Sequence, residues 1–489
     1  MKTYSSMAEI LYAHAKEKGK KLFLIDDSGE YSYNDIWNAT KNLAQIFKNE
    51  HLQVGDRVMV ECTQNVEYLV SYFACNLNGY IFVPLEKGAS ENSVRRILKE
   101  TESKIFVTWR SFDLSVKIIK YSLKNLITAN LYEFEFKSGN DTAEILYTTG
   151  TTGKSKGIEI LNINNIALAE NIAYGTEMKE DNIEWIPLPF SHSHSLRCLY
   201  ANLLRGSTVV ISDGVLNIKQ IMEWINKYRI TSFDLSPTAA KLLIKLTKGK
   251  LSEFASQIEY IQIGTAVLDE DTKNRLIELL PNSRLYNFYG STESGRTSVY
   301  NFNCGVNKKN CIGLPTKNAK FIVVDDKGDL IDSSEKNMGL LATYGPMNMK
   351  GYWNQKMETD KVLKQGFVYS NDVGYIDSEG YIYVVGRKDD IINYKGIKIS
   401  PDEIEQIALK SGMIKDCACV KKIEELSGEV PKLFIALEDA KKEKFEENKF
   451  MQYLRMNIDK NKMPVAIEII DGIPRTNNGK IQRAMLVGR

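Results

Sequence analysis

Four histidines in 489 residues, His14, His51, His192 and His194, are too few for a histidine-rich metal site. Seven cysteines, Cys62, Cys75, Cys198, Cys304, Cys311, Cys417 and Cys419, include no Cys-x-x-Cys pair. That excludes the common zinc and dithiol spacings and predicts reduced, mostly buried thiols. No stretch approaches the roughly 20 apolar residues of a membrane helix. The opening "MKTYSSMAEILYAHAKEKGKKLFLIDD" lacks the apolar segment of a signal peptide and reads as an amphipathic helix followed by a strand, so a cytoplasmic protein is expected. An excess of one charge is missing too: 64 Lys plus Arg against 62 Asp plus Glu leave +2, which argues against nucleic acid or a membrane surface as partner.

The length exceeds what one ordinary core accommodates and predicts at least two domains. Short β-branched and aromatic runs, "RVMVEC", "YIFVPL", "KIFVTW", "TVVIS", "EYIQIG" and "RLYNFYG", alternate with helical patterns such as "QNVEYLVSYFACNLN" and "IKQIMEWINKYR". This predicts layered α/β structure with parallel sheets, whose ligands sit beyond the carboxyl ends of the strands. From about Lys320 the texture changes to hairpins, "KFIVVDDKGDLI" and "GYIDSEGYIYVVG". "ISPDEIEQIALK" then opens a helix, with Ser400 as N-cap, Pro401 at its first position and Glu403 closing a capping box. The polar "GRKDD" reads as a linker. We therefore expect a large N-terminal domain, 1–386, of layered α/β subdomains and a small mobile α+β domain, 387–489.

The chemistry begins at "YTTGTTGKSKG", Tyr147 to Gly157. Gly153-Lys154-Ser155 supplies the second half of the nucleotide-binding pattern G-x-x-x-x-G-K-[ST], but Thr148 stands where the first glycine is required. The loop keeps the ingredients of an oxyanion site: converging backbone N–H groups, hydroxyls and lysines. In "NFYGSTESG" Glu293 sits beside a second Gly/Ser/Thr turn, where a carboxylate suits Mg²⁺ shared with phosphate oxygens, and Tyr289 can stack on a base. "YSNDVGY" places Asp372 where it could accept from ribose hydroxyls. "PRTNNGKIQR" carries Lys480 on a polar loop.

Together with "PFSHSHSL", "GTAVLDED", "GPMNMKGYW" and "GRKDDIINYKGIKISPDEIE", these segments resemble, in order, the motifs of the adenylate-forming superfamily: acyl-CoA synthetases, aryl-acid and peptide-synthetase adenylation domains, and luciferases. The resemblance implies that Thr148, Thr149, Thr151, Thr152 and Lys156 hold the phosphates of ATP. Gly264, Thr265 and Ala266 would line adenine and acid, while Asn287 bonds the adenine and Tyr289 stacks on it. Thr292 would contact the α-phosphate, Glu293 would bind Mg²⁺, and Asp372 and Arg387 would hold the ribose. His192 would gate the acid's carboxylate, and Lys480 would touch carboxylate and α-phosphate. Asp389 matches the hinge about which the small domain turns, and Gly396 the thiol channel.

The implied activity is conversion of a carboxylic acid to acyl-AMP and pyrophosphate, then to a thioester of CoA or of a carrier protein's phosphopantetheine. Only nine residues follow Lys480, so the acceptor is expected in trans. Ser155, Leu340 and Ser370-Asn371 depart from the family pattern. Around His192 no aspartate follows, which favours an aryl or a small or medium acyl acid over an α-amino acid; Asp234 of "FDLS" falls in a later segment. His192 and His194, two apart, would point the same way on a strand. Arg296 after the Mg²⁺ motif reads as a surface charge or as a partner for a second acidic group. A stand-alone amino-acid adenylation enzyme, a luciferase-like oxygenase and a non-catalytic binding protein remain the alternatives.

Overall fold

The computed structural model describes residues 3–147, 156–305, 308, 310–394, 397–424, 428–438, 445–475 and 481–487. The β-branched and aromatic runs form strands at Arg57–Glu61, Ile81–Leu85, Ile105–Val107, Thr208–Ile211, Tyr260–Ile263 and Arg284–Ser291. Helices fill the intervals. Val66–Asn78 starts where the Asn65 side chain accepts from the Tyr68 N–H and stops at Gly79, whose φ of 75° lies in the left-handed region. It is buried nearly all round, as befits a helix covered on both sides.

Among the described residues the strands make sheets of fourteen, seven and five strands. The largest contains a parallel run in the order Arg284–Ser291, Tyr260–Ile263, Ser232–Leu235, Ile183–Ile186, Thr208–Ile211 and Leu22–Asp26. The seven-stranded sheet is parallel from Lys117–Ile119 to Thr142–Tyr147 and is completed by two antiparallel strands, Gly157–Leu161 and, at the edge, Gly351–Tyr352. One apolar core takes residues from both sheets, Phe82 and Ile158 from one, Ile186 and Val209 from the other. Helices Val66–Asn78 and Ser193–Arg205 meet within it, with Tyr72 and Tyr200 stacked at 5.0 Å. The layered α/β class is thus as expected.

Both expected hairpins are present. Asp325 Oδ1 accepts from the N–H groups of Lys327 and Asp329, and Gly328 takes φ 92°; Gly380 takes φ 85° in the turn between Phe367–Ile376 and Ile382–Arg387. After Ile382–Arg387 the chain leaves the large sheet, and Ile392–Tyr394 joins the five-stranded one. That smaller α+β unit has its own core, including Ile399, Ile404, Cys419, Leu433, Phe450 and Leu454. Its first helix begins at Pro401 after N-cap Ser400, but the capping box does not form. The Ser400 hydroxyl donates instead to the Val385 carbonyl at 2.7 Å, and Glu403 turns outward to Lys462 at 2.8 Å. A tertiary acceptor has outcompeted the local one. All seven cysteines are free thiols, and only Cys304 is exposed.

Candidate active site

Parallel strands leave their carboxyl ends open to ligands, and several expected site residues collect there. Gly264 follows Tyr260–Ile263, and a β-carbon on it would lie 2.2 Å from the Phe288 ring, so the strand end and the next strand approach too closely for a side chain. Thr265 continues with φ 77°, an unusual value for a β-branched residue. Ala266 is exposed beside it, and Asn287, buried, stands on Arg284–Ser291 opposite Ile263. Two residues further, the Tyr289 hydroxyl donates to Asp372 Oδ2. Burial first, then the Asp372 charge, pushes the phenol far above its ordinary range. Asp372 pairs in register with Arg387 across neighbouring strands. The Ser370-Asn371 departure is accommodated physically: Asn371 takes φ 63°, a conformation asparagine tolerates better than most residues, and its amide donates to Asp389 Oδ2 at 2.6 Å. Asn287, Tyr289, Asp372, Arg387 and Asp389 are thereby linked.

Thr292 and Glu293 occupy the turn between Arg284–Ser291 and Gly295–Asn301. The Thr292 hydroxyl lies 3.1 Å from that of Ser193, next to His192. Glu293 Oε1 accepts from the Tyr352 hydroxyl at 3.0 Å, and its carbonyl accepts from the Met349 N–H at 2.7 Å. Lys156 Nζ lies 4.8 Å from the centre of the same Tyr352 ring and 2.6 Å from Glu358 Oε2. One tyrosine therefore brings the lysine expected at the phosphates beside the carboxylate expected at the metal. The Lys156 contact, with Lys361, holds the Glu358 carboxyl down at about 2.

The two histidines do not lie on a strand. His192 is the N-cap of helix Ser193–Arg205, and His194 is in its first turn, so the expected shared face is replaced by helical geometry. His194 stacks on Phe288 at 5.0 Å and 8°, with Nε2 2.8 Å from Asp234 Oδ1. Asp234, forty residues away in sequence, thus joins this end of the site. Arg296 is also displaced from the surface role: 4% exposed, it lies 3.5 Å over the Phe288 ring and donates to Gln262 Oε1 and to Cys198 Sγ. Gln262 donates to Glu184 at 2.6 Å. Burial first, then Asp234, raises the Glu184 carboxyl to about 8. His194, Cys198 and Asp234 place ligand-type atoms within 4.8 Å of one another, but the guanidinium 3.5 Å from the sulfur opposes a second cation there.

Sequence reasoning missed Ser193, Arg197, Tyr352 and Glu358. Leu196, Leu199 and Leu203 at helical spacing before Gly206 were the legible sign of the helix that presents the first two. Thr148, Thr149, Thr151, Thr152, Gly396 and Lys480 lie outside the described residues, although the strands flanking the threonine loop pair as a hairpin, Tyr147 opposite Gly157.

Residues 11–353 match the family model of the AMP-binding enzymes, and residues 403–480 that of the AMP-binding enzyme C-terminal domain. The chain is 25% identical to the long-chain-fatty-acid–CoA ligase of Bacillus subtilis (strain 168), over 93% of this chain and 89% of that protein. It is 24% identical to the 2-succinylbenzoate–CoA ligase of Bacillus pumilus (strain SAFR-032), over 96% and 95%. In fold it matches, with a TM-score of 0.88 and 22% identity over 99% of this chain and 98% of the other, the o-succinylbenzoate CoA synthetase of Bacillus subtilis solved with its acyl-adenylate intermediate.

Proposed function

Because the chain belongs to the AMP-binding enzyme family, and so to the adenylate-forming superfamily, we propose that it is an AMP-forming acid–thiol ligase. It converts a carboxylic acid to acyl-AMP and pyrophosphate, then passes the acyl group to a thiol, CoA or a carrier protein's phosphopantetheine. The observation that carries the reading is the convergence at one strand-end surface of Asn287, Tyr289, Asp372 and Arg387 with Thr292, Glu293 and Lys156. Residues of this kind suit adenine, ribose, phosphate and a hard cation respectively.

A carboxylate attacking an anionic α-phosphate meets Coulomb repulsion that a water-excluding site makes severe. Thr292, steadied by Ser193, donates to the α-phosphate, and Lys156 leaves Glu358 to meet the departing pyrophosphate; the family resemblance assigns Thr148, Thr149, Thr151 and Thr152 to the same pyrophosphate and Lys480 to the two reacting anions. Glu293 suits Mg²⁺ because one of its oxygens is held by Tyr352 while the carboxylate stays partly exposed beside Lys156. When bound, the ion lowers the charge on the phosphate oxygens. In the second step the small domain turns about Asp389, withdrawing Lys480 and presenting Gly396 along the thiol's path.

The preferred acid is an aryl or a small or medium acyl acid. A second reading, an acid bearing a cationic or hydrogen-bond-donating group, is favoured by Asp234, fully buried, with neither oxygen receiving a well-aligned hydrogen bond. Pyrophosphate exchange across aryl, fatty and amino acids, followed by CoA against a phosphopantetheinylated carrier, decides between them. Lys480→Ala should abolish exchange yet retain thioester formation from synthetic acyl-adenylate. Absence of exchange with every acid in the panel would overturn the function.

A further inference from the structure

Arg197 lies within helix Ser193–Arg205, five residues past His192, and is 5% exposed. Its guanidinium does not cap the helix or reach solvent. One terminal nitrogen donates to the Ser291 carbonyl at 2.9 Å and the other to the Thr292 carbonyl at 2.6 Å. These are the two carbonyls that precede Glu293. The other contacts of the turn hold side chains or later backbone: Ser193 meets the Thr292 hydroxyl at 3.1 Å, Tyr352 donates to Glu293 Oε1 at 3.0 Å, Ser294 N–H donates to the Ser291 hydroxyl at 3.1 Å, and Met349 N–H donates to the Glu293 carbonyl at 2.7 Å. Resting on the function proposed above, we propose that Arg197 is the positioning residue of the metal-binding turn: its planar fork sets the peptide planes on both sides of Thr292 and so aims the Thr292 hydroxyl and the Glu293 carboxylate at the phosphates.

The geometry requires arginine. A guanidinium offers two parallel donors in a rigid plane, which matches two successive carbonyls; an ammonium is a point charge that reaches one. Fixing both carbonyls removes the rotation of the 292–293 peptide that would otherwise swing the Glu293 side chain. Misplacement of about 1 Å at such a group costs on the order of a hundredfold.

The competing view is that Arg197 only neutralises Glu144, a fully buried carboxylate to which the Tyr200 hydroxyl donates at 2.7 Å. Against it, the guanidinium spends both terminal nitrogens on carbonyls, and no carboxylate lies within ion-pair distance of it among the described residues.

The test uses ligands that need no knowledge of the acid. ATP binding to the full chain is measured by calorimetry with Mg²⁺ and with EDTA, and AMP binding alongside. In the parent protein Mg²⁺ should tighten ATP binding. Arg197→Gln, or Arg197→Gln with Glu144→Gln if the single variant does not fold, should bring that Mg²⁺-dependent gain to within ~3-fold of none while AMP affinity stays within ~3-fold. Arg197→Lys should recover part of the gain, and Glu144→Gln alone should leave it intact. A preserved Mg²⁺ gain without Arg197, or equal losses for AMP and MgATP, would overturn the assignment. A parent protein that binds no ATP would instead refute the functional reading itself.

Discussion

Replacing Arg483 with methionine tests how the small domain holds itself together. Arg483 donates to Glu405 Oε1 at 2.7 Å and to Asp402, and lies 3.7 Å from Asp390. Only the Glu405 pair is truly buried, with side chains 13% and 8% exposed; Asp402 and Asp390 are 40% and 35% exposed. Half-exposed pairs contribute about 0–1 kcal/mol each, whereas removing one partner of a buried pair costs about 3–5 kcal/mol. The cost depends on whether Glu405 is charged. Burial raises its carboxyl to about 7, above its unfolded value and against the lowering effect of Arg483, so at pH 5.5 it is protonated in the fold and strands no charge, while at pH 8 loss of Arg483 forces it to stay ionised unpaired or to take up a proton.

Hydrogen exchange at the Cys419 amide, which donates to Glu405 at 2.6 Å, reports this directly. At pH 8 its protection factor should fall about 10-fold further in Arg483→Met than at pH 5.5, because only the parent, with Glu405 at about 7, stabilises its fold by ionising there. At pH 5.5 the fall should not exceed about 30-fold, the two half-exposed pairs together. Equal losses at both pH values would show that packing rather than charge is at stake, and unchanged protection at pH 8 would refute the argument.

Two further perturbations reach the large domain. Glu358→Gln should release Lys156 and tighten ATP binding by a few-fold at low ionic strength, the difference vanishing in high salt because the pair is partly exposed; weaker binding would mean that Glu358 orients the lysine instead. Glu184, raised to about 8 by burial, favours the folded state most below its unfolded pKa, and that contribution is lost as pH rises through about 8. The melting temperature should therefore fall between pH 5.5 and 8.5, and Glu184→Gln should flatten that fall; an unaltered slope in thermal scans would assign it to other groups.

What was legible in the sequence was whatever depends on periodicity and local turn chemistry. The strand runs around "EYIQIG" and "RLYNFYG", the Asp325 turn and the helix start at Pro401 all follow from neighbours within a few residues. Asn287, Tyr289, Thr292 and Glu293 could be placed because one strand and its turn carry them in a row. The parts that were not legible depend on partners far apart. Arg197 meets the turn across 94 and 95 residues, and Asp234 reaches His194 across forty. "SHSHS" itself carries no apolar period and its N-cap is a histidine without a side-chain cap bond, so the stretch reads as a strand and only the leucines that follow signal the helix. Arg296 looked like a surface charge for the same reason: its burial is decided by Phe288 and Gln262, not by its neighbours in the chain.

The distribution of thiols gives the molecule a built-in handle. Cys62 and Cys311 are pushed up to about 11 by burial, and Cys75, Cys198, Cys417 and Cys419 are likewise raised and covered. Thiolate, not thiol, reacts with alkylating dyes, so a maleimide fluorophore at neutral pH goes first to Cys304, the exposed one. The unaltered chain can thus carry a single probe next to the strand Gly295–Asn301, and a second dye introduced in the five-stranded unit would report the proposed domain rotation as a change in energy transfer.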